Sequence, residues 1–283
     1  MRYAILSDIH ANVLALEAVL ADISAQAVDG LLYLGDAIGY GPQAAETITL
    51  LRTHVSSLPC RVDGIAATRP IWVPGNHEWG LLNRTANMRD FYEDALVVLL
   101  RTRNELSAAD LDLLALLPQR IEITLDNISA VLVHSSGSDP VGTHQYITNE
   151  VIAADEIDLL GGQINFVGHT HVPSVFYESN NYSGKRRIWQ REQMITEDDE
   201  AETIFVLDMN SRAILNPGSV GQPRDGDRRA SYAIFDGEVG SFTVRRVDYD
   251  IAEAQARIQK WLGDAISNLD SEEGLAGRLA LGL

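Results

Sequence analysis

The feature that most constrains this chain is a junction that recurs along it, where a short apolar run stops at a polar or glycine-containing cluster. Short apolar runs bounded by glycine or proline are typical of buried strands. Those that end in such a cluster are residues 3–6, 31–34, 71–73, 130–133, 164–167 and 213–215. Open α/β sheets gather their ligands at the carboxyl ends of strands. The pattern therefore predicts one site assembled from distant parts of the chain.

The side chains in these clusters are the kind that bind transition metals. Carboxylate, carboxamide and imidazole donors together suit Mn, Fe, Zn, Co or Ni, whereas Ca or Mg would select oxygen and structural zinc would use thiolate. The candidates are Asp8, His10, Asp36, Asn76, His77, His134, His169 and His171. We expect an extended turn to point Asp8 and His10 to the same side, and His169 and His171 to serve different ions. Gly35 and Gly75 are expected to let the backbone turn sharply before a ligand.

Composition and charge exclude several classes of function. The chain has 283 residues, 46% of them hydrophobic, which is enough for a large core, and a formal net charge of −18. That charge repels nucleic acid and other long polyanions, so neither is an expected partner. No apolar run approaches the roughly 20 residues of a membrane span, so no membrane partner is expected. A single cysteine, Cys60, and a carboxylate as early as Asp8 favour a cytoplasmic protein without a signal peptide.

Helical patterns and late strands complete the predicted organisation. Apolar spacing predicts helices over 12–23, 89–103, 108–116 and 251–262, and strands over 205–208, 232–235 and 242–247. The helical stretches within about 83–117 lack metal-binding residues, which suggests a small helical cap beside the site. The polar stretch 178–202 is expected to form a solvated loop or hairpin, with an oligomer contact or a closing lid as the alternative. No pattern indicates an oligomeric state.

The ordered clusters resemble the calcineurin-like metallophosphoesterase superfamily over about residues 1–247. Residues 35–42, with the sequence GDAIGYGP, and 216–224, with NPGSVGQPR, are similar to its bacterial branch of small phosphodiesterases and diadenosine-tetraphosphate-hydrolase-like proteins. The resemblance implies a four-layer α/β sandwich of two mixed β-sheets flanked by helices. It also implies a catalytic domain over 1–250, followed by a C-terminal helix and tail over 251–283.

The same resemblance implies a dinuclear site. One ion would be held by Asp8, His10, Asp36 and His171, and the other by Asp36, Asn76, His134 and His169, with Asp36 bridging the two. Metal-bound hydroxide would attack phosphorus directly, and no covalent enzyme intermediate would form. The implied proton donor to the leaving group is His77.

Other residues near the clusters have smaller predicted roles. Glu78 is expected either to orient His77 or to make a surface salt bridge. Asn12, Tyr40 and Arg224 could touch the phosphate or the leaving group. Arg224 and its neighbours Arg228 and Arg229 offer a basic cluster for further phosphates, and His54 and His144 are expected to be surface histidines.

The predicted function is hydrolysis of small phosphoesters or phosphoanhydrides, either dinucleoside polyphosphates or phosphodiesters. One alternative is a phosphoprotein phosphatase, but that class carries an Asp-Arg-Gly run after its Gly-Asp motif, where this chain has Gly39-Tyr40-Gly41. The other alternative is an inactive binding scaffold of the same fold. The presence of every ligand position together with His77 argues against it.

Overall fold

Two mixed β-sheets pack face to face and carry the elements that position the polar clusters. The computed structural model describes residues 1–82, 93–180, 186–190, 201–263 and 274–282. The strands are β1 (Arg2–Leu6), β2 (Gly30–Tyr33), β3 (Ser57–Val62), β4 (Ile65–Pro70), β5 (Ile121–Leu125), β6 (Ile128–Leu132), β7 (Ile164–Phe166), β8 (Ser174–Asn180), β9 (Arg186–Gln190), β10 (Glu202–Val206), β11 (Ala213–Asn216), β12 (Ala230–Asp236) and β13 (Ser241–Val247). The helices are α1 (Val13–Ser24), α2 (Ala44–His54), α3 (Asn76–Leu81), α4 (Glu93–Glu105), α5 (Ala108–Ala115), α6 (Glu150–Leu160), α7 (Ile251–Leu262) and α8 (Leu275–Leu281).

Each sheet contains parallel neighbours that position the polar clusters. The first sheet has the order β10-β13-β12-β1-β2, and the second β4-β3-β5-β6-β7-β11-β8-β9. Strand β1 runs parallel to β2, and β6 runs parallel to β7. Parallel neighbours end on the same edge of a sheet, so the residues that follow each pair meet there.

The alternation of buried side chains along the central strands explains the four layers. Ile5 of β1 packs with Phe166 and Phe235 in the core between the sheets, where the two phenyl rings lie 5.4 Å apart. The opposite face of β1 is covered by α1 and α2, and the outer face of β6, β7 and β11 by α6. The expected sandwich of two mixed sheets between helices is confirmed.

Several element boundaries differ from the sequence expectations. Residues 71–73 form only an isolated parallel bridge, in which Trp72 pairs with Tyr33. The N–H of Gly75, which would continue the ladder, donates to the Glu78 carboxylate instead. Helices α2 and α6, the β3–β4 hairpin and β5 were not predicted. The hairpin is largely solvent-exposed along β4, so it lacks the apolar signal of a buried strand.

The helices predicted as a cap contribute to the cores. Leu99 of α4 and Leu114 of α5 are buried in the cluster that covers β1, and Val98 packs with Ile258 of α7. Residues 83–92 of the predicted cap lie outside the described residues. The separate cap therefore stays a prediction.

The polar stretch 178–202 contains all of β9 and the last residues of β8, the two strands of a hairpin. Strands β8 and β9 pair antiparallel at the edge of the second sheet, which agrees with the expected hairpin. Residues 181–185 and 191–200 lie outside the described part of the chain. Among the helices described, none has both the length and the apolar character needed to cross a bilayer.

Candidate metal centre

The carboxyl ends of the two parallel strand pairs meet and bring the predicted clusters together. Asp8 and Asp36 follow β1 and β2, while His134 and His169 follow β6 and β7. The loops are joined directly: the N–H of Asp8 donates to the carbonyl of Gly35 (3.0 Å), and that of Gly168 to the carbonyl of His134 (2.8 Å). Short connections between buried strands thus fix the spacing of the side chains.

Many of these residues have left-handed backbone conformations. The φ angles are 54° at Asp8, 51° at His10, 57° at Asp36, 66° at His169 and 60° at His171. The prediction of an extended turn is therefore wrong. The first and third residues of Asp8-Ile9-His10 and of His169-Thr170-His171 all have left-handed backbone conformations. Such conformations cost about 1–3 kcal/mol each for side chains larger than glycine and cluster at functional sites.

The two glycines before the ligands act differently. Gly35 has a φ of +102°, as expected for a sharp turn that favours glycine. Gly75 has a φ of −101°, so the predicted turn requirement is wrong there. Position 75 instead has no room for a side chain, because a Cβ atom there would lie 2.1 Å from Oδ1 of Asp36.

Backbone carbonyls fix the orientation of three imidazoles. Nδ1 of His10 lies 3.1 Å from the carbonyl oxygen of Ile38, and Nδ1 of His134 lies 2.8 Å from that of Leu34. Nδ1 of His171 lies 2.6 Å from the Gln222 carbonyl oxygen. A carbonyl oxygen only accepts, so each Nδ1 carries a proton and each Nε2 is directed at the centre. Metal-binding histidines are oriented in this way by their second nitrogen.

The donor atoms form two groups that share a boundary. One is Asp8, His10 and His171, and the other is Asp36, His134 and His169, with the donors of each group within 4.8 Å of one another. A third set that meets the same limit, His10, Asp36 and His77, lies across the boundary between them. Oδ2 of Asp36 is 3.3 Å from Nε2 of His134 and 3.8 Å from Nε2 of His10. The Asp36 carboxylate therefore lies within reach of both groups.

Unpartnered donor atoms test whether these residues fit metal ions. Among the described residues, Asp8 Oδ1, Asn76 Oδ1, His134 Nε2 and His169 Nε2 are buried without a hydrogen-bond partner. Nε2 of His10 lies only 3.0 Å from Nε2 of His171. Buried polar atoms without partners are costly, and two facing lone pairs repel unless a cation lies between them. The donor set fits transition-metal ions.

The electrostatics of the cluster also favour a cation. Burial alone would raise the pKa of the Asp8 and Asp36 carboxyls, but neighbouring His171 and His134 hold both well below the usual range. Burial opposes the charge on His134, yet the Asp36 and Asp8 carboxylates raise its pKa to about 9. With that pKa, His134 carries a proton near pH 7, so binding of a metal by His134 must displace it. Burial lowers the pKa of His169 to about 3.

His77 lies against both groups. Its ring centroid is 4.8 Å from that of His10 and 4.7 Å from that of Tyr40, and its backbone N–H donates to Oδ1 of Asp36 at 2.9 Å. Burial lowers the pKa of His77 to about 4. Its imidazole is neutral near pH 7 until a negative charge approaches it.

Glu78 does not make the predicted surface salt bridge, and its role in orienting His77 stays a prediction. It is fully buried, and its carboxylate accepts hydrogen bonds from the N–H groups of Gly75 (2.7 Å), Asp36 (2.9 Å) and Ile38 (3.1 Å). Burial and the Asp36 carboxylate raise its pKa to about 7. The sequence signal that could have revealed this was its spacing, because a Glu three residues after a helix cap often bonds back to the cap.

The three predicted substrate contacts differ in their surroundings. Arg224 approaches Tyr40, with Nη2 3.4 Å from the phenol oxygen and the guanidinium 5.9 Å from the ring centroid. Asn12 instead caps α1 through Oδ1 and donates from Nδ2 to the carbonyl of Gly221. Both polar atoms of Asn12 are thus used inside the protein.

The predicted arginine cluster is not a free basic patch. Arg229 is held by Asp227, with Nη2 2.7 Å from the carboxylate, and Arg228 is exposed. Arg224 is the member that approaches the metal-binding residues. His54 and His144 are exposed, as expected.

Tyr146 beside His169 was missed by the sequence reasoning, which assigned most tyrosines to the core. Its ring stacks on the imidazole at a centroid distance of 3.8 Å and an angle of 23°, while the residue stays 43% exposed. No motif marks it, since only its position in the loop after His134 connects it with the site.

The fold and this cluster define a metallophosphoesterase type of architecture, with a sandwich of two sheets and a His/Asp centre at the strand ends. The sequence profile of the "Calcineurin-like phosphoesterase superfamily domain" matches residues 1–240. The chain belongs to the calcineurin-like phosphoesterase superfamily.

The chain is also similar to individual proteins. An uncharacterized protein of Methanocaldococcus jannaschii is 32% identical over 271 residues, covering 93% of this chain and 96% of that protein. The crystal structure of a metallophosphoesterase from Sphaerobacter thermophilus has 34% identity and a TM-score of 0.73, covering 100% of this chain and 99% of that one. A hypothetical protein from Pyrococcus horikoshii shares the fold, with a TM-score of 0.67, 16% identity and coverage of 95% and 96%.

Proposed function

We propose that this chain is a dinuclear metal-dependent hydrolase of small phosphoesters or phosphoanhydrides, with dinucleoside polyphosphates and phosphodiesters as the favoured substrates. The observation that carries the proposal is the set of buried, unpartnered donor atoms on Asp8, Asn76, His134 and His169, among the described residues of a phosphoesterase fold.

The proposed ligands divide into two sets with one shared member. Asp8, His10 and His171 would hold one ion and Asn76, His134 and His169 the other, with Asp36 common to both. The 3.3 Å and 3.8 Å approaches of Asp36 Oδ2 to His134 and His10 support the shared role. Two bound metal ions would polarise the phosphoryl oxygens of the substrate and lower the pKa of a coordinated water.

His77 is the proposed proton donor to the leaving group. In a buried site, the negative charge of a bound phosphate raises the pKa of a neighbouring imidazole. That effect would counter the burial that holds the His77 pKa near 4. Arg224 and Tyr40, which lie against each other beside His10 and His77, would orient the phosphate or the leaving group.

Substrate size follows from charge. A chain of net charge −18 repels a long polyanion along its whole length, whereas a short phosphate responds mainly to nearby cations. Because Arg229 is held by Asp227, Arg224 is the arginine left beside the cluster for a further phosphate.

The deciding experiment compares substrates after the protein has been loaded separately with Mn, Fe, Zn, Co or Ni. Values of kcat/KM are measured at matched salt for a dinucleoside tetraphosphate, a small phosphodiester, a phosphopeptide and a single-stranded DNA oligomer. We expect the first two to be hydrolysed most efficiently. Preference for the phosphopeptide would favour the phosphatase alternative, preference for DNA would overturn the size argument, and no turnover with any metal would favour the scaffold.

A further inference from the structure

Three of the four proposed histidine ligands are oriented by a hydrogen bond, and His169 is the exception. The rings of His10, His134 and His171 each have Nδ1 within 3.1 Å of a backbone carbonyl oxygen. Within the described part of the chain, no carbonyl accepts a hydrogen bond from the His169 ring, and its Nε2 is buried without a partner. The χ2 torsion of a histidine has broad minima, so the orientation of this imidazole depends on other contacts.

Two residues of the loop after His134 cover the two faces of the His169 imidazole. The ring of Tyr146 stacks on it at a centroid distance of 3.8 Å. A Cβ atom at position 142 would lie 3.0 Å from each of three ring atoms of His169, so Gly142 also lies over a face of the ring. The atoms nearest to that Cβ position all belong to His169, whereas a tyrosine ring stacked on the same face would be nearer. Gly142 and Tyr146 therefore lie on opposite faces.

Tyr146 contacts this ligand rather than the core. The residue is 43% exposed and belongs to none of the apolar clusters that the described residues form. Stacked aromatic rings attract each other by more than the area they bury accounts for. A large ring at the surface of the protein is thus used to hold one buried imidazole.

Hydrogen bonds within the loop fix both sides of this sandwich. The carbonyl of Asp139 accepts from the N–H of Gly142 at 3.1 Å, and its carboxylate accepts from the N–H of Gln145, also at 3.1 Å. The hydroxyl of Ser135 donates to the carbonyl of Gln145, the residue directly before Tyr146. Asp139 therefore sets the positions of the two residues that enclose the imidazole.

We propose that Tyr146 is a positioning residue for His169, and that its ring and the backbone of Gly142 clamp the imidazole in the orientation in which it binds metal. The inference rests on the proposed function, because it takes His169 to be a metal ligand. Rotation about the Cβ–Cγ bond of His169 would drive the ring against one of its two neighbours. Contact on both faces thus replaces the hydrogen bond that orients each of the other three histidines.

Co²⁺ is the probe for the test, because its visible absorption reports the geometry of its ligands. Stepwise dissociation constants are measured by titration of the full chain, and His169→Ala identifies the binding step that depends on this ligand. Tyr146→Leu removes the stack, whereas Tyr146→Phe keeps a ring that can stack. Thr148→Leu, at an exposed position of the same loop, is the matched control.

Tyr146→Leu should weaken the step that His169→Ala removes by about 10–100-fold, the usual effect of removing an outer-shell partner. The other step should stay as in the wild type. The visible spectrum of bound Co²⁺ should change as well, because the imidazole is no longer held in one orientation. Tyr146→Phe should restore both properties, and Thr148→Leu should behave as the wild type does.

Gly142→Ala tests the opposite face of the imidazole. Its Cβ atom would displace the ring from that side, so this variant should weaken the same binding step. The φ angle of +77° at this position also strains alanine. Circular dichroism verifies folding, and the two Tyr146 variants keep the test decisive if Gly142→Ala fails to fold.

Equal Co²⁺ affinities and spectra for Tyr146→Leu and Thr148→Leu would overturn the inference and leave the phosphoesterase proposal intact. A Tyr146→Phe variant as weak as Tyr146→Leu would also overturn it, since the hydroxyl rather than the stacked ring would then matter. So would a folded Gly142→Ala variant that binds Co²⁺ as the wild type does. A wild type that binds no Co²⁺, or a His169→Ala variant that binds it unchanged, would overturn the proposed ligands as well.

Discussion

The carboxylate of Glu78 accepts a 2.9 Å hydrogen bond from the backbone N–H of Asp36, the residue proposed to serve both metal ions. The same oxygen accepts from Gly75, and the other oxygen from Ile38. One buried side chain therefore ties the loop after β2 to the start of α3, and so holds Asp36 in position relative to Asn76.

Replacing Glu78 by Gln should loosen this tie, because the amide NH₂ would face backbone donors. We expect metal affinity to fall about 10–100-fold, as when outer-shell partners of ligands are removed. The free energy of unfolding should fall by about 1–3 kcal/mol for the donors left unpaired. Metal titration and chemical denaturation measure the two effects, with Glu46→Gln at an exposed position as the control. Unchanged metal binding would remove Glu78 from the positioning of the ligands.

The proposed shared role of Asp36 predicts an asymmetry between ligand variants. Asp36→Ala should lose both ions because, in the proposal, one side chain serves both, whereas His171→Ala should weaken the binding of mainly one ion. Elemental analysis of the purified variants gives the metal content, and circular dichroism verifies the fold. Two equivalents of metal retained by Asp36→Ala would show that the carboxylate does not bridge.

The proposed proton-donor role of His77 predicts a dependence on the leaving group. His77→Ala should keep its metals, and turnover should fall about 10²–10⁴-fold for a poor leaving group. The loss should be smaller for p-nitrophenyl esters, since p-nitrophenolate hardly needs protonation. Steady-state kinetics on the two kinds of ester, with metal content measured in parallel, makes the comparison. Equal losses would instead indicate that His77 positions the substrate.

An ion pair far from the centre predicts a pH-dependent contribution to stability. Asp22 of α1 accepts from Tyr232 Oη (2.5 Å) and Arg245 Nε (2.8 Å), which join α1 to β12 and β13. Burial would raise the pKa of Asp22, but these partners hold it below the ordinary value of 3.8. A lowered carboxyl pKa stabilises the fold above the unfolded-state value, and this contribution is lost as pH falls through the folded-state value.

Asp22→Asn should therefore lower the free energy of unfolding by about 1–2 kcal/mol at pH 7, a range that allows for partial solvent screening. The difference from wild type should shrink as the pH is lowered below 3.8. Urea denaturation across this pH range tests it, with exposed Asp112→Asn as the control. A difference that stays constant with pH would show that the carboxylate charge does not contribute.

The amino-acid sequence by itself determined the class of fold and the residues that meet at its centre. Hydrophobic periodicity located α1, α7 and the strands that precede Asp8, Asp36, His134 and His169. Such strands can be recognised because a buried strand requires an apolar run, which here stops at a polar cluster. The order of those clusters along the chain is typical of the superfamily.

Tertiary structure decided what depends on distant backbone groups. The left-handed conformations at Asp8 and His10, the burial of Glu78 against three N–H donors and the stacking of Tyr146 on His169 leave no periodic signal in the sequence. The ion pair of Arg229 with Asp227 neutralises a positive charge that the sequence suggested for phosphate binding. Ile258 and Leu279 lie near His10 because residues more than two hundred positions away fold back beside it, a relationship set by packing between elements rather than by local propensity.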